Sequence, residues 1–172
     1  GFTEKGHQVV LISGFGRFIP LLLKFGVKWY PVPMKKKNPL LFLRSLRTVK
    51  RILAEENPDI IHARSRLPAW IAYLASQKME GHFVTSIHGF YSKRWYSKIL
   101  AKGERVIVVS EGLKKHAVSF LGANPEKVRV VYNGFVFSPF LGIKPTVCNP
   151  PHKKGVVIGA IGRLTRGKGL IS

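Results

Sequence analysis

The feature that most constrains the fold is the alternation of short, predominantly apolar segments with longer segments of helical periodicity. The apolar segments are rich in β-branched residues and too short for helices, which is typical of buried strands. They lie at Gln8–Ser13, Val27–Val32, Asp59–His62, Phe83–Ile87, Arg105–Val109, Val128–Tyr132 and Gly155–Ile161. Strands that are apolar on both faces and alternate with helices predict an α/β fold, in which helices cover both faces of a parallel sheet.

Helix signals lie between the apolar segments. Asn38 is a predicted N-cap, and Pro39 follows it at the first helical position. Apolar residues then recur at helical spacing, so we expect one face of this helix to be buried. They are Leu40, Leu43, Leu46, Val49 and Leu53. Further helices are predicted around 67–77 and over 111–121, the latter with Ser110 as its cap.

Composition divides the chain into three parts. Residues 1–134 contain the earlier strands and form one predicted domain. Residues 135–154 contain several prolines and no clear periodicity, which is typical of a linker. Residues 155–172 open with a further apolar strand and a glycine-rich segment, and are predicted to begin a second domain. We expect the chain to be part of a longer protein.

The charge balance is strongly basic, with 29 basic and 8 acidic residues and a formal net charge of +21. Such a surplus implies an anionic partner: a membrane surface, a nucleic acid or a phosphorylated substrate. Phe18–Phe25 (FIPLLLKF) lies beside Arg17, with Lys35–Lys37 nearby, and combines apolar insertion with attraction to anionic lipid. The alternative is that Leu21–Leu23 belong to the core.

The excess of positive charge could also serve to bind a nucleic acid. Trp95 and Tyr96 stand beside Lys93, Arg94 and Lys98, so aromatic rings could stack on bases. No signature of a nucleic-acid-binding fold accompanies them.

The single cysteine, Cys148, fits a reducing compartment. We therefore expect a cytoplasmic protein, peripherally attached to the inner face of the cytoplasmic membrane.

Ligands bind at the carboxyl ends of the strands in open parallel sheets. The last such segment, GRLTRGKG (162–169), offers glycines that let backbone approach a ligand and two cations, Arg163 and Lys168, that could grip a phosphate. The alternative is a basic surface loop. Gly14, in SGFG, follows the first strand and resembles the start of a dinucleotide fingerprint without its third glycine.

Two other strand ends carry candidate site residues. His88, followed by Gly89, could hydrogen-bond a sugar hydroxyl or assist proton transfer, or could be a structural histidine bonded to backbone. In HARSR (62–66), Arg64 and Arg66 could meet an anionic acceptor or form a solvated basic turn. Asp59 is the only aspartate, so no paired-aspartate metal site is present in the sequence, and no Cys/His cluster has zinc spacing.

Six segments in order resemble glycosyltransferase family 4, of the GT-B architecture. They are GHQVVLIS, NPDIIHARS, FVTSIHG, VIVVSEGLKKH, EKVRVVYNGF and IGRLTRGKGL, and the resemblance covers nearly the whole chain. PDIIHARSRLPAW is also similar to bacterial members associated with lipopolysaccharide or other surface glycans.

The resemblance implies two Rossmann-like domains facing a cleft, with the acceptor held by the first and a nucleotide sugar by the second. His88 matches the cleft histidine near the transferred sugar. Arg163 and Lys168 match the pair that contacts the donor diphosphate, so that no metal or other cofactor is expected. The implied cleft and acceptor side is lined by Gly14, Arg64, Ser65, Gly89, Ser110, Asn133 and Gly134. Transfer proceeds with retention of anomeric configuration, to a glycan or lipid-linked acceptor.

The chain also departs from the family pattern. The family's first strand and its glycine-rich loop would precede Gly1, and the acidic pair of the donor domain would follow Ser172. We therefore expect the chain alone to be inactive. The competing interpretation is a basic α/β module that binds membrane or nucleic acid without catalysis.

Overall fold

Six of the seven predicted strands form where the β-branched segments place them, and the seventh, Gly155–Ile161, lies outside the described residues. The computed structural model describes residues 1–34, 38–91 and 95–134. The strands are β1 (Val10–Ser13), β2 (Lys28–Pro31), β3 (Ile60–Ala63), β4 (His82–Ile87), β5 (Arg105–Val108) and β6 (Val128–Val130). The helices are α1 (Ile19–Lys24), α2 (Pro39–Glu56), α3 (Arg66–Ser76) and α4 (Glu111–Ser119). Strands and helices alternate, so the predicted α/β class is confirmed.

Every strand pair among the described residues is parallel, as predicted. The strands divide into two sheets, of order β1-β2 and β3-β4-β5-β6. In the larger sheet, β4 lies between β3 and β5, and the register pairs Ala63 with Thr85 and Ile87 with Val108. Because all four strands run the same way, their carboxyl ends lie at one edge.

A cavity of about 330 Å³ separates β1 from β3. Leu11 and Ile12 of β1, Ile61 of β3, Ile52 of α2 and Ile71 of α3 are among its lining residues. In the described part of the chain, β1 pairs only with β2 and β3 only with β4. Each strand therefore turns an unpaired backbone edge toward this apolar space.

Local capping explains where the helices begin and end. The side-chain oxygen of Asn38 accepts hydrogen bonds from the backbone N–H groups of Leu40, at 2.9 Å, and Leu41, at 3.3 Å. At the other end of α2, Asn57 adopts a left-handed conformation (φ 39°), which asparagine tolerates well. Ser110 caps α4, accepting from the N–H of Leu113 at 3.2 Å.

The buried face of α2 differs from the predicted one in its first half. The fully buried residues are Ser45, Val49, Ile52 and Leu53, whereas Leu40 and Leu43 are exposed. The buried stripe continues toward the amino end through the half-buried Leu41 and Phe42. At that end of the helix, the leucines predicted to be buried therefore lie one or two positions away from the residues that are buried.

Four helical segments in the described part of the chain were not predicted: two single 3-10 turns, Thr3–Lys5 and Pro125–Lys127, and two longer segments. α1 begins at Ile19 with Pro20 in its first turn, and Ile19 is its one buried residue. A 3-10 helix spans Trp95–Ala101 and buries Ile99 and Leu100 against the sheet. Both lie where apolar periodicity is too short for a helix signal.

The core of this unit centres on β4. Thr85, Ser86 and Ile87 are all buried, and the hydroxyl of Thr85 donates to the carbonyl oxygen of Leu100 at 2.7 Å. This bond fastens the 3-10 helix to the sheet, since a buried hydroxyl without a partner would be costly. β4 therefore pairs with a strand on each of its edges and packs against the 3-10 helix on one face. Its last residues lie at the carboxyl edge of the sheet.

We expect Gly103→Ala to lower the free energy of unfolding by about 1–3 kcal/mol, the usual cost of overpacking. A Cβ at Gly103 would lie 2.6 Å from the carbonyl oxygen of Arg105 and 2.8 Å from the hydroxyl of Thr85. Urea denaturation measures the change. Gly112→Ala is the matched control, because a Cβ there meets no atom closer than 3.9 Å and α4 favours alanine. Equal losses in both variants would contradict this packing argument.

Candidate functional site

The carboxyl edge of the four-stranded sheet gathers most of the predicted site residues. Arg64 and Ser65 follow β3, His88 and Gly89 follow β4, and Ser110 follows β5. Asn133 and Gly134 come after β6 and are exposed. The cavity between the sheets reaches the same edge, because His62, Arg64 and Ser65 also line it.

Arg64 and His88 are in direct contact. Nε and Nη2 of Arg64 each lie 3.3 Å from Nε2 of His88. Guanidinium nitrogens only donate, so Nε2 of the imidazole is the acceptor. Partial desolvation, and then the nearby Arg64 charge, lower the pKa of His88 below its ordinary value. The arrangement therefore favours a neutral His88.

A second histidine stands beside this pair. Nε2 of His62 lies 2.6 Å from the hydroxyl oxygen of the buried Ser86. Desolvation is the largest cause that lowers the pKa of His62, followed by the charge of Arg64 and by His88. The His62 side chain also lines the cavity between the sheets and is partly open to solvent. Sequence patterns place His62 at a strand end, but its pairing with Ser86 depends on the β3–β4 register.

Aromatic rings border the cluster on the side of the 3-10 helix. The guanidinium carbon of Arg66 lies 5.2 Å from the ring centre of Tyr91 and 4.6 Å from that of Tyr96. The backbone N–H of Tyr91 donates to Nε2 of His116 at 3.2 Å, and Phe90 packs edge-on against the same imidazole. Arg66 is thus held by aromatic faces, whereas Arg64 turns to His88.

The remaining predicted residues have other positions or roles. The hydroxyl of Ser110 is engaged as the cap of α4, and Ser65 precedes α3 without making a capping hydrogen bond. Gly14 follows β1, in the other sheet, and its carbonyl accepts from the hydroxyl of Ser13 at 2.9 Å. Arg163 and Lys168 lie outside the described residues, so their predicted phosphate contacts stay a prediction. Among the residues that the structure describes, no three His, Cys, Asp or Glu side chains come together as a potential metal site.

The sequence comparison identifies the family. Residues 1–136 match the profile of Glycosyltransferase Family 4. The chain belongs to this family. The resemblance in the sequence motifs is thereby confirmed, and His88 and Arg64 lie within the matched region. No curated protein matches the chain significantly.

Two solved structures share the fold. A glycosyltransferase of Rickettsia africae is 30% identical, with a TM-score of 0.71 over 83% of this chain and 39% of that protein. Anabaena HepE, crystallised with UDP and glucose, is 19% identical, with a TM-score of 0.63 over 79% of this chain and 40% of HepE. The chain therefore spans about two fifths of the length of either protein.

We expect the free energy of unfolding to fall as the pH is lowered through about 6.5, the ordinary histidine pKa. The folded state lowers the pKa of His62, so the unfolded chain binds more protons in that range and is favoured by acid. Urea denaturation between pH 8 and pH 5 measures the slope, which His62→Gln should flatten. His7→Gln, a change in the exposed amino-terminal segment, is the control. Coincident slopes for the two variants would exclude His62 as a source of the acid sensitivity.

Proposed function

We propose that the chain is the acceptor side of a glycosyltransferase that moves a sugar from a nucleotide-sugar donor to a glycan or glycolipid. The observation that carries this proposal is His88, held by Arg64 at the carboxyl edge of the sheet, within residues that belong to Glycosyltransferase Family 4. The donor class is supported by the fold relative HepE, which was crystallised with UDP-glucose.

The chemistry assigned to the site is a group transfer. The bond between the sugar's anomeric carbon and the diphosphate breaks, and a bond to an acceptor hydroxyl oxygen forms. The nucleoside diphosphate departs with the bonding electron pair, and its leaving oxygen takes up the proton of the acceptor hydroxyl. We assign the growing charge on that diphosphate to Arg163 and Lys168, whose fixed positive charge would take the place of a metal ion. His88 would contact the sugar, and the configuration at the anomeric carbon would be retained.

We also propose that the acceptor is reached at an anionic membrane surface, on the cytoplasmic side. Phe15 and Phe18 are 75% and 59% exposed, and Leu21, Leu23 and Phe25 also project into solvent. The alternative that Leu21–Leu23 belong to the core is therefore wrong for Leu21 and Leu23, whereas Leu22 is half-buried. Arg17 lies over the ring of Phe18, at 4.7 Å, which places a cation within the apolar patch. Exposed apolar groups beside cations suit an anionic lipid surface. No helix in the described part of the chain is long and apolar enough to cross a membrane.

We expect Arg163→Ala and Lys168→Ala each to slow transfer by about 10²–10³, the usual loss when one group that stabilises developing charge is removed. Transfer is measured in a joined protein, in which this chain is followed by the remaining length of a longer relative such as the Rickettsia africae glycosyltransferase. Unfolding curves confirm that each variant stays folded.

Arg166→Ala is the matched control, because Arg166 belongs to the same segment and carries the same charge. We expect it to be mild. A loss equal to that of Arg163→Ala would show a diffuse basic patch instead of a specific pair. The assay is repeated with excess chelator, where we expect full activity. Activity that disappears and returns with added magnesium or manganese would refute the metal-independent chemistry.

For the membrane surface, we expect the chain to sediment with vesicles containing phosphatidylglycerol and far less with neutral vesicles. Rising salt should weaken this binding, because the Debye length is about 8 Å at physiological ionic strength. Leu21→Ser should lower partitioning by about tenfold or more, since burying a leucine side chain is worth about 1.5–3 kcal/mol.

Leu74→Ser is the control, because Leu74 is also helical and similarly exposed, at 41% against 49% for Leu21, but lies on α3. It should leave vesicle binding unchanged. Equal binding to neutral and anionic vesicles would count against the proposal. Tighter binding to DNA than to anionic vesicles at physiological salt would favour the nucleic-acid module.

A further inference from the structure

We propose that Arg64 is a positioning residue for His88: it holds Nε2 of the imidazole as a hydrogen-bond acceptor and so places the single ring proton on Nδ1. The consequence of this inference for catalysis rests on the proposed function. The tautomer itself rests on the geometry of β3 and β4 alone.

The first step is the direction of the hydrogen bond. Nε and Nη2 of Arg64 both lie 3.3 Å from the same imidazole nitrogen, Nε2. A guanidinium has donors and no acceptor, and a neutral imidazole has one nitrogen of each kind. Nε2 therefore carries no proton while this contact persists, and Nδ1–H is the only donor that the ring can offer a substrate.

The second step is the charge on the imidazole. In the described part of the chain, Arg64 makes no ion pair with a carboxylate, so its charge acts on the ring without being cancelled. Desolvation and Arg64 both lower the pKa of His88. His62, the other titratable group in the cluster, is engaged by Ser86, and its pKa is lowered as well. The groups on the β3 side of His88 therefore disfavour a positive charge on its imidazole ring.

The groups on the other sides of the loop after β4 have partners of their own. The guanidinium of Arg66 lies over Tyr91 and Tyr96, and His116 of α4 accepts the N–H of Tyr91. Arg64 and Arg66 are two residues apart and chemically identical, yet only Arg64 contacts His88. This difference supplies a matched control within the same turn.

The third step is the consequence for transfer. A neutral ring whose proton sits on Nδ1 donates a hydrogen bond to a sugar hydroxyl through that nitrogen. Nε2 is occupied by Arg64 and does not act as a base toward the acceptor. His88 would therefore orient the sugar, and Arg64 would contribute without touching it.

The tautomer is tested on the chain itself, labelled with ¹⁵N-histidine, with His88→Gln used to assign the signal. We expect the Nε2 shift of an unprotonated nitrogen in the unmodified chain near pH 7. Arg64→Ala should move the proton toward Nε2 and raise the pKa of His88. Arg64→Lys should keep the pKa low through its charge while weakening the tautomer preference, because it lacks the fork of two donors.

Arg66→Ala should leave the tautomer and the pKa of His88 unchanged. A proton on Nε2 in the unmodified chain, or equal titration of His88 with and without Arg64, would overturn the proposal. Neither result depends on sugar transfer, so failure here is distinguishable from failure of the proposed function.

A second measurement uses the joined protein in which transfer is assayed. If the neutral ring is the active form, Arg64→Ala should shift the acid limb of the kcat profile to higher pH as the pKa of His88 rises. A purely structural role would lower kcat at every pH without moving that limb. A profile that keeps its shape would therefore also reject the positioning role.

Discussion

The parallel pairing of β3 with β4 determines which side chains meet at the candidate site. Because the two strands run the same way, Arg64 and His88 leave the sheet at one edge, close enough for direct hydrogen bonds. The position of β4 depends in turn on its buried neighbours, and the Thr85 hydroxyl ties it to the following 3-10 helix. Small displacements of β4 would therefore reach His88 directly, since it follows the last residue of the strand. The position of His88 is therefore determined by the packing of the core and not by the loops around the site.

The cavity between β1 and β3 has a different significance. Buried backbone groups in native proteins are nearly always paired, and free strand edges invite further pairing. Here two edges that belong to parallel strands face the same apolar space, and its wall continues to Arg64 at the candidate site. Whatever occupies this space will touch the edge of the sheet that carries the candidate site. Packing there and the position of His88 are consequently linked through β3.

The sequence predicted the parallel α/β fold, the caps at Asn38 and Ser110, and the strand-end position of His88, because each depends on local pattern. The register between β3 and β4 is a long-range property, so the contacts of His62 with Ser86 and of Arg64 with His88 could not be read from spacing. Helix α1 was missed for a related reason. Six residues give less than two turns, and the exposure of Leu21 shows that its periodicity does not reflect burial.

Arg64 and Arg66 have different surroundings, which shows how two of the many cations are accommodated. Arg66 begins α3 and lies against the faces of two tyrosines, where a cation is stabilised without a carboxylate. Arg64 stands before the turn into the helix and faces an imidazole, which relieves little of its charge. With 29 basic residues and only 8 acidic ones, most cations in this chain cannot be paired internally. The few carboxylates that do pair lie elsewhere, as Glu56 does with Lys28 and Glu104 with His82. The carboxyl edge is thus left with positive charge that an anionic substrate or surface could neutralise.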